Sequence, residues 1–200
     1  RPTIYILDDA FQHRTITPYR SILLVDYNRP IFKDYLLPIG RLRDLPQRIS
    51  AADIVIVTKT PWYEESPDIS YWRNSLKLKE YQDLYFSKIE YCDLHPLFPQ
   101  ECDTRYLYSQ KAILFSGIAN NRLFIDHFAG QYTIDKVFSF SDHRDFTDGD
   151  IKKIIDSSLQ HPTAVVITTE KDAQRLRYHP SLSNELKERL FYIEIKVSIL

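Results

Sequence analysis

The chain has 200 residues, of which 44% are hydrophobic and 26% are charged, and this composition excludes a disordered or collagen-like polypeptide. Its 26 Lys and Arg residues against 27 Asp and Glu leave a net charge of −1, so bulk charge gives no argument for a nucleic-acid partner. Two cysteines cannot form a disulfide framework, and no apolar run has the length of a membrane span. The sequence begins at Arg1 and contains no Met, which predicts that it is part of a longer protein, incomplete at its N-terminus.

Short apolar runs alternate with helical patterns along the chain. Several runs are apolar throughout, which is typical of strands buried on both faces in a parallel sheet covered by helices. The predicted strands are Ile4–Leu7, Ile22–Val25, Ile54–Val57, Tyr85–Ile89, Ala112–Phe115, Lys136–Phe140, Ala164–Thr168 and Phe191–Val197. Helices are predicted over Asn121–Ala129, after the N-cap Thr147, and from near Thr169 through Leu176. The fold class is therefore α/β, with a mainly parallel sheet flanked by helices.

Two irregular stretches interrupt this alternation. Residues 27–47 combine prolines with several arginines, and we interpret them as a long functional loop with local positive charge. Residues 93–105 are predicted to link two lobes. An aromatic cluster follows the third predicted strand, with acidic residues between its members: Trp62, Tyr63, Tyr71 and Trp72. The acids oppose contact with anionic lipid, so a packed surface helix is the favoured interpretation.

Polar residues follow the first predicted strand at the point where it ends. Asp8 and Asp9 have the Walker B arrangement, in which a strand delivers carboxylates that hold Mg²⁺ at the carboxyl edge of a sheet. Gln12 and His13 add polar groups beside them. The alternative is a pair of acids that only cap a strand end.

Three further segments carry side chains suited to phosphate chemistry. Arg43 belongs to the arginine-containing loop Leu36–Asp44, and a guanidinium donates two parallel hydrogen bonds to phosphate, although a solvated basic loop is the simpler alternative. Lys59 follows a predicted strand, as in the base-recognition strand of P-loop GTPases, but the expected Asp is missing. His143 lies between a strand and a capped helix, where it is either a general base or part of a helix-entry loop.

Several motifs in this order resemble those of the tetraacyldisaccharide 4'-kinase family, the lipid A 4'-kinases. They are Leu7–His13, Leu36–Asp44, Ala52–Lys59, Phe115–Ala119, Ser141–His143 and Thr169–Ala173, and they span nearly the whole chain. Two positions depart from the family pattern, since Ala10 replaces a common Gly and Asp44 a common Glu. The chain lacks the Gly-x-x-x-x-Gly-Lys-Ser/Thr loop of P-loop NTPases, which in the family lies upstream of the Asp-Asp motif.

The resemblance implies a P-loop NTPase-like kinase that uses ATP and Mg²⁺. Such an enzyme phosphorylates the 4'-hydroxyl of a tetraacyldisaccharide 1-phosphate, a lipid A precursor, at the cytoplasmic face of the Gram-negative inner membrane. Asp8 and Asp9 would hold the metal, and Asp9 and His143 would be catalytic. The residues implied to lie near nucleotide or phosphorylated sugar are Gln12, His13, Arg43, Asp44 and Lys59.

The same resemblance divides the chain into three parts. Residues 1–92 would be the remainder of the P-loop NTPase core, 93–110 a linker, and 111–200 a C-terminal α/β lobe. Without the P-loop we expect the chain to be soluble and inactive alone, with membrane contact made through the missing N-terminal part. Two alternatives stay open: a non-catalytic carbohydrate- or lipid-binding module, and a metal-dependent phosphoesterase with the ligands Asp8, Asp9, His13, Asp142 and His143.

Overall fold

The chain forms two compact units in the computed structural model, which describes residues 3–13, 15–61, 63–118, 120–142 and 145–200. Unit 1 comprises Arg1–Glu90 and Val197–Leu200, and unit 2 comprises Tyr91–Lys196. The boundaries fall inside two long strands, β3 (Asp83–Pro96) and β7 (Leu190–Ile199). The division into 1–92, 93–110 and 111–200 stays a prediction, although β3 extends four residues into the stretch that was expected to be irregular from Asp93.

Unit 1 is built on three parallel strands. These are β1 (Ile22–Asp26), β2 (Ile54–Thr58) and the first part of β3, in the order β1-β2-β3. Helix α1 (Ile69–Leu76) follows β2 and begins at Asp68, whose Oδ1 accepts a hydrogen bond from the Tyr71 amide at 2.8 Å. The core of unit 1 consists of Val25, Ile49, Ala52, Val55, Val57, Trp72, Leu76 and Phe86.

Unit 2 contains a second set of parallel strands. These are β4 (Lys111–Ser116), β5 (Thr133–Ser139), β6 (Val165–Thr169) and β7, in the order β7-β6-β4-β5. The helices are α2 (Arg122–Ala129), α3 (Asp148–Gln160), α4 (Glu170–Leu176) and α5 (Asn184–Lys187). Short 3-10 helices lie at Thr104–Tyr108 in this unit and at Ile31–Lys33 and Pro46–Ala51 in unit 1.

Alternate residues of the unit 2 strands enter two different cores. Ile113 and Val166 pack with Ile151 of α3 and Leu176 of α4 on one face. Leu114 and Ile167 pack with Phe124 and Phe128 of α2 on the other. The sheet is therefore covered by helices on both faces, which explains why its strands are apolar throughout.

The prediction of a strand over Ile4–Leu7 is wrong. Residues 3–7 adopt no secondary structure, and Ile4, Tyr5 and Ile6 are 86%, 84% and 91% exposed. An extended segment becomes a strand only when a neighbouring strand satisfies its backbone groups, and no strand of the described residues pairs with this one. None of the described helices is both long and apolar enough to cross a bilayer.

Candidate functional site

Asp8 and Asp9 form a tight turn at the start of unit 1. The Asp9 amide donates to Asp8 Oδ1 at 3.0 Å, and Asp9 has a φ of 48°, a left-handed conformation that Asp tolerates better than most residues. Arg43 Nη1 lies 3.6 Å from Asp9 Oδ2, and both side chains are largely exposed. An exposed pair contributes little stability, so its consequence is the placement of a guanidinium beside the two carboxylates.

Arg48 makes a second connection between the N-terminal segment and the arginine-containing loop. Its Nη2 donates to the Phe11 carbonyl at 3.1 Å, and its guanidinium lies 5.6 Å from the centroid of the Phe11 ring. Asp44 Oδ2 lies 3.3 Å from Arg48 Nε and so helps to orient this guanidinium. Gln12 and His13 are exposed on the turn that follows, which the His13 amide closes by donating to the Ala10 carbonyl at 2.9 Å.

The loop that carries Arg41 and Arg43 is closed on itself. Asp34 Oδ1 accepts the amides of Tyr35 and Arg41 at 2.8 and 3.2 Å, and these hydrogen bonds lower the pKa of the Asp34 carboxyl. Gly40 is required where the loop passes close to its own start, because a Cβ there would meet the Tyr35 carbonyl oxygen at 2.1 Å. The loop is therefore a defined platform for its arginines.

Lys59 is held at the carboxyl ends of β1 and β2. Asp26 and Thr58 are partners in the parallel register, and Lys59 follows with a left-handed φ of 59°. Its Nζ reaches Asp26 Oδ2 at 2.6 Å, with both side chains partly exposed. Asp26 thus fixes the ammonium group at the edge where parallel sheets build their sites.

A buried carboxylate organises the carboxyl edge of unit 2. Asp172 is fully buried in the first turn of α4, and its Oδ2 accepts the Gly117 amide at 2.8 Å and the Thr169 hydroxyl at 2.7 Å. Arg175 Nη1 lies 3.6 Å from Asp172 Oδ1, which compensates the buried charge. A Cβ on Gly117 would come within 3.1 Å of Asp172 Oδ1, so the residue after β4 packs directly against this carboxylate.

The neighbouring Lys171 holds the loop after β5. Its Nζ donates to Asp142 Oδ1 at 2.7 Å. His143, the residue next to Asp142, lies outside the described residues, so its predicted role stays a prediction. Among the described residues, no three His, Cys, Asp or Glu side chains come together as ligands for a metal ion.

Sequence reasoning did not single out Asp26. It noted Arg48 only as one of several arginines near the long loop and Asp172 only within the motif Thr169–Ala173. Asp26 had a usable signal, because an apolar run ending in Asp is the pattern that singled out Asp8. The partners of Arg48 and Asp172 had no such signal, because Phe11 and Gly117 are distant from them in sequence.

Parallel strands flanked by helices, with polar side chains at their carboxyl ends in both units, define an α/β protein of the class that includes nucleotide-binding folds. The model of the family described as tetraacyldisaccharide-1-P 4'-kinase matches residues 1–199. The chain belongs to this family, as the motifs predicted.

Curated relatives that match most of this chain are also described as tetraacyldisaccharide 4'-kinases. A tetraacyldisaccharide 4'-kinase of Bacteroides thetaiotaomicron is 39% identical over 211 residues, which cover 98% of this chain and 55% of the relative. One of Porphyromonas gingivalis is 36% identical over 206 residues, which cover 100% of this chain and 57% of the relative. The chain therefore spans about half the length of the curated relatives it matches.

A solved structure agrees with the fold. The "apo" form of LpxK from Aquifex aeolicus in complex with ATP matches with a TM-score of 0.60 and 25% identity, over 96% of this chain and 52% of that one. The predicted α/β class with a mainly parallel sheet, similar to P-loop NTPases, is confirmed.

Proposed function

We propose that this chain is part of a kinase that transfers the γ-phosphate of ATP to the 4'-hydroxyl of a tetraacyldisaccharide 1-phosphate. The observation that carries the proposal is the family match over residues 1–199. Because the chain spans about half of its relatives, the activity is assigned to a longer protein that includes it. The acceptor would place that protein at the cytoplasmic face of the Gram-negative inner membrane.

Asp8 and Asp9 are the residues we assign to Mg²⁺. Mg²⁺ prefers oxygen ligands and keeps several waters, so one or two exposed carboxylates suit it better than an enclosed cage would. When bound, the ion neutralises charge on the phosphates of ATP. The Asp9 carboxylate also holds Arg43, so metal ligand and guanidinium belong to one polar cluster.

The basic side chains of unit 1 would orient phosphate. Phosphoryl transfer depends mainly on positioning and on compensating negative charge, and Arg43 and Lys59 provide two cations for this purpose. Each is paired with a carboxylate, Asp9 or Asp26, which limits its rotamers before the ligand arrives. Asp44 acts through Arg48, while Gln12 and His13 are exposed on the turn after the two metal-binding residues and are available to nucleotide or sugar.

His143 is the residue we assign as the base that accepts the proton of the 4'-hydroxyl. An imidazole titrates near neutral pH and suits this task. The support from the described residues is indirect. Lys171 anchors the carboxylate of Asp142, the residue before His143, and so restricts the start of that loop.

The test joins this chain to the remaining N-terminal part of the Bacteroides thetaiotaomicron relative. The fused protein is expected to phosphorylate tetraacyldisaccharide 1-phosphate with ATP, as followed by mass spectrometry of the lipid. The 200-residue chain alone is expected to give no product, because its sequence contains no phosphate-binding glycine loop. Transfer by the chain alone, or a folded fusion that transfers nothing, would contradict the proposal.

Substitutions in the fusion separate the kinase from the alternatives. His143→Ala should lower kcat by roughly 10²- to 10⁴-fold, and Asp9→Asn should raise the Mg²⁺ concentration needed for half-maximal rate. Asp156→Asn, on an exposed face of α3, is the matched control and should behave as the parent. A non-catalytic module would lose no turnover in any variant, and a phosphoesterase would release phosphate without transferring it.

A further inference from the structure

A cavity of about 320 Å³ lies in unit 1 beside α1, and its lining includes none of the residues assigned above. Small-molecule sites begin at about this volume, and a single sugar ring fits within it. Its lining combines aromatic rings with groups of both charges. They include Tyr27, Phe32, Tyr71 and Trp72 on the aromatic side and Lys33, Glu64 and Asp68 on the polar side.

The aromatic side is a fixed platform. Trp72 is 5% exposed, and its ring centroid lies 5.3 Å from that of Tyr27 and 5.7 Å from that of Phe32. Tyr71 meets Phe32 edge to face at 6.2 Å, and Tyr71 is 48% exposed. Side chains locked this way lose little entropy when a ligand packs against them.

The polar side offers both hydrogen-bond donors and acceptors. The Tyr27 hydroxyl donates to Glu64 Oε2 at 3.5 Å, and burial together with this carboxylate raises the pKa of Tyr27. Asp68 is fixed as the N-cap of α1 and retains a second carboxylate oxygen. The Lys33 ammonium lies 6.0 Å from the Phe32 centroid and brings three donors.

This mixture of charges selects among ligand classes. Glu64 and Asp68 disfavour a phosphate or carboxylate, and Lys33 disfavours an organic cation. Three charged groups around a small cavity also disfavour an acyl chain, because the chain would strip their water without replacing its hydrogen bonds. A neutral ring that carries hydroxyls and an apolar C–H face offers donors to the two carboxylates, acceptors to Lys33 and an apolar surface to the aromatic rings.

We propose that this cavity is a carbohydrate-binding site, in which a sugar ring packs on Tyr71 and Phe32 and donates hydroxyl hydrogen bonds to Glu64 and Asp68. Sugar binding stands on the cavity alone. Its assignment to the disaccharide acceptor rests on the proposed function.

The test titrates the unmodified 200-residue chain with N-acetylglucosamine and follows the indole N–H signals by NMR. The chain has two tryptophans, so two such signals are expected, and Trp62→Phe serves only to assign the one that belongs to Trp72. The Trp72 signal should shift saturably, with a Kd on the order of 1–10 mM for one sugar ring. Saturation-transfer NMR on the sugar gives a second readout that is independent of tryptophan.

Variants locate the binding. Tyr71→Ala and Glu64→Gln should each weaken binding about tenfold or more, while Tyr71→Phe should keep it because the ring is preserved. Tyr178→Ala removes an equally large, 88% exposed tyrosine from unit 2 and should leave binding unchanged. Glu64→Gln keeps the shape of the side chain, so its result stands even if Tyr71→Ala disturbs the fold.

Three outcomes would overturn the inference. They are a linear response to the sugar that glycerol reproduces, saturation by tetramethylammonium or phosphate instead of sugar, and sugar binding unaffected by both Tyr71→Ala and Glu64→Gln. Kinase activity of the fused protein is measured separately. If no sugar binds while the fused protein is an active kinase, the carbohydrate-binding site is refuted and the proposed function stands. If the sugar binds while the fused protein is inactive, the proposed function is refuted and the carbohydrate-binding site stands.

Discussion

Single carboxylates fix the polar side chains of the candidate site. Asp26 holds Lys59, Asp9 holds Arg43, and Asp34 closes the loop on which Arg43 stands. In each case the acid restricts a flexible cation or a backbone segment before any ligand is present. Such preorganisation lowers the entropy that ligand binding would otherwise cost.

The loop closed by Asp34 should depend on pH. Because hydrogen bonds from Tyr35 and Arg41 lower the pKa of Asp34, its contribution to loop order is fully present above the ordinary value of 3.8 and is lost as the pH falls through the lowered value. Asp34→Asn should remove this acid transition and weaken the loop at neutral pH, because an amide oxygen is a poorer acceptor than a carboxylate. The amide signals of Gly40 and Arg41, followed by NMR during an acid titration, report it.

The exposed acid Asp83 supplies the control, since Asp83→Asn should leave the transition in place. If the Gly40 and Arg41 signals of Asp34→Asn titrate as those of the parent, the carboxylate does not close the loop.

Residue types of the site were predictable, but their partners were not. The motifs singled out Asp9 and Arg43 separately, and nothing in their spacing indicates that the two side chains meet. A contact of this kind depends on the path of a loop, which is fixed here by Asp34 and by the lack of a side chain at Gly40. Lys59 was predicted from a strand end, while its partner Asp26 was missed.

Among the elements, helix α3 shows the clearest agreement between sequence and structure. Thr147 was predicted as its N-cap, and the structure has a complete capping box, in which the Asp150 amide donates to Thr147 Oγ1 at 3.2 Å and the Thr147 amide donates to Asp150 Oδ2 at 3.1 Å. Caps are local, so three or four residues of sequence suffice to predict them. Strands β1, β2, β4 and β6 were likewise predicted to within a residue or two, because continuous apolar runs identify buried strands.

The capping box gives a prediction for the stability of unit 2. Thr147→Ala should lower the free energy of unfolding by about 1 kcal/mol, because the Asp150 amide loses its acceptor. Thr147→Ser retains the hydroxyl and should lose much less. Thr163→Ala, at an exposed position outside the helices, should be close to neutral. Urea unfolding followed by circular dichroism measures all three, and equal losses for Ala and Ser would show that the hydroxyl does not cap.

At the scale of the whole molecule, the apolar segment Ile4–Leu7 is where the prediction of a strand failed. Its composition is that of a buried strand, yet its side chains are exposed and no strand of the described residues lies beside it. Strand formation needs a partner as well as a suitable sequence, and a partner is a property of the assembled sheet. The relatives are about twice as long as this chain, so they contain residues that could provide one.

The substitution Ile6→Lys should therefore change the free energy of unfolding by different amounts in the 200-residue chain and in the fused protein. In the 200-residue chain Ile6 is 91% exposed, so Ile6→Lys should change the free energy of unfolding by no more than about 0.5 kcal/mol. In the fusion with the N-terminal part of the Bacteroides relative, where we predict that Ile4–Leu7 becomes an interior strand, the buried ammonium should cost several kcal/mol or prevent folding. Val55→Lys, at a position that is 0% exposed in β2, should be severe in both proteins. Denaturant unfolding of the four variants measures these changes. If Ile6→Lys changes the free energy of unfolding equally little in both proteins, Ile4–Leu7 stays outside the sheet. Asp8 and Asp9 would then not stand at the end of a Walker B strand.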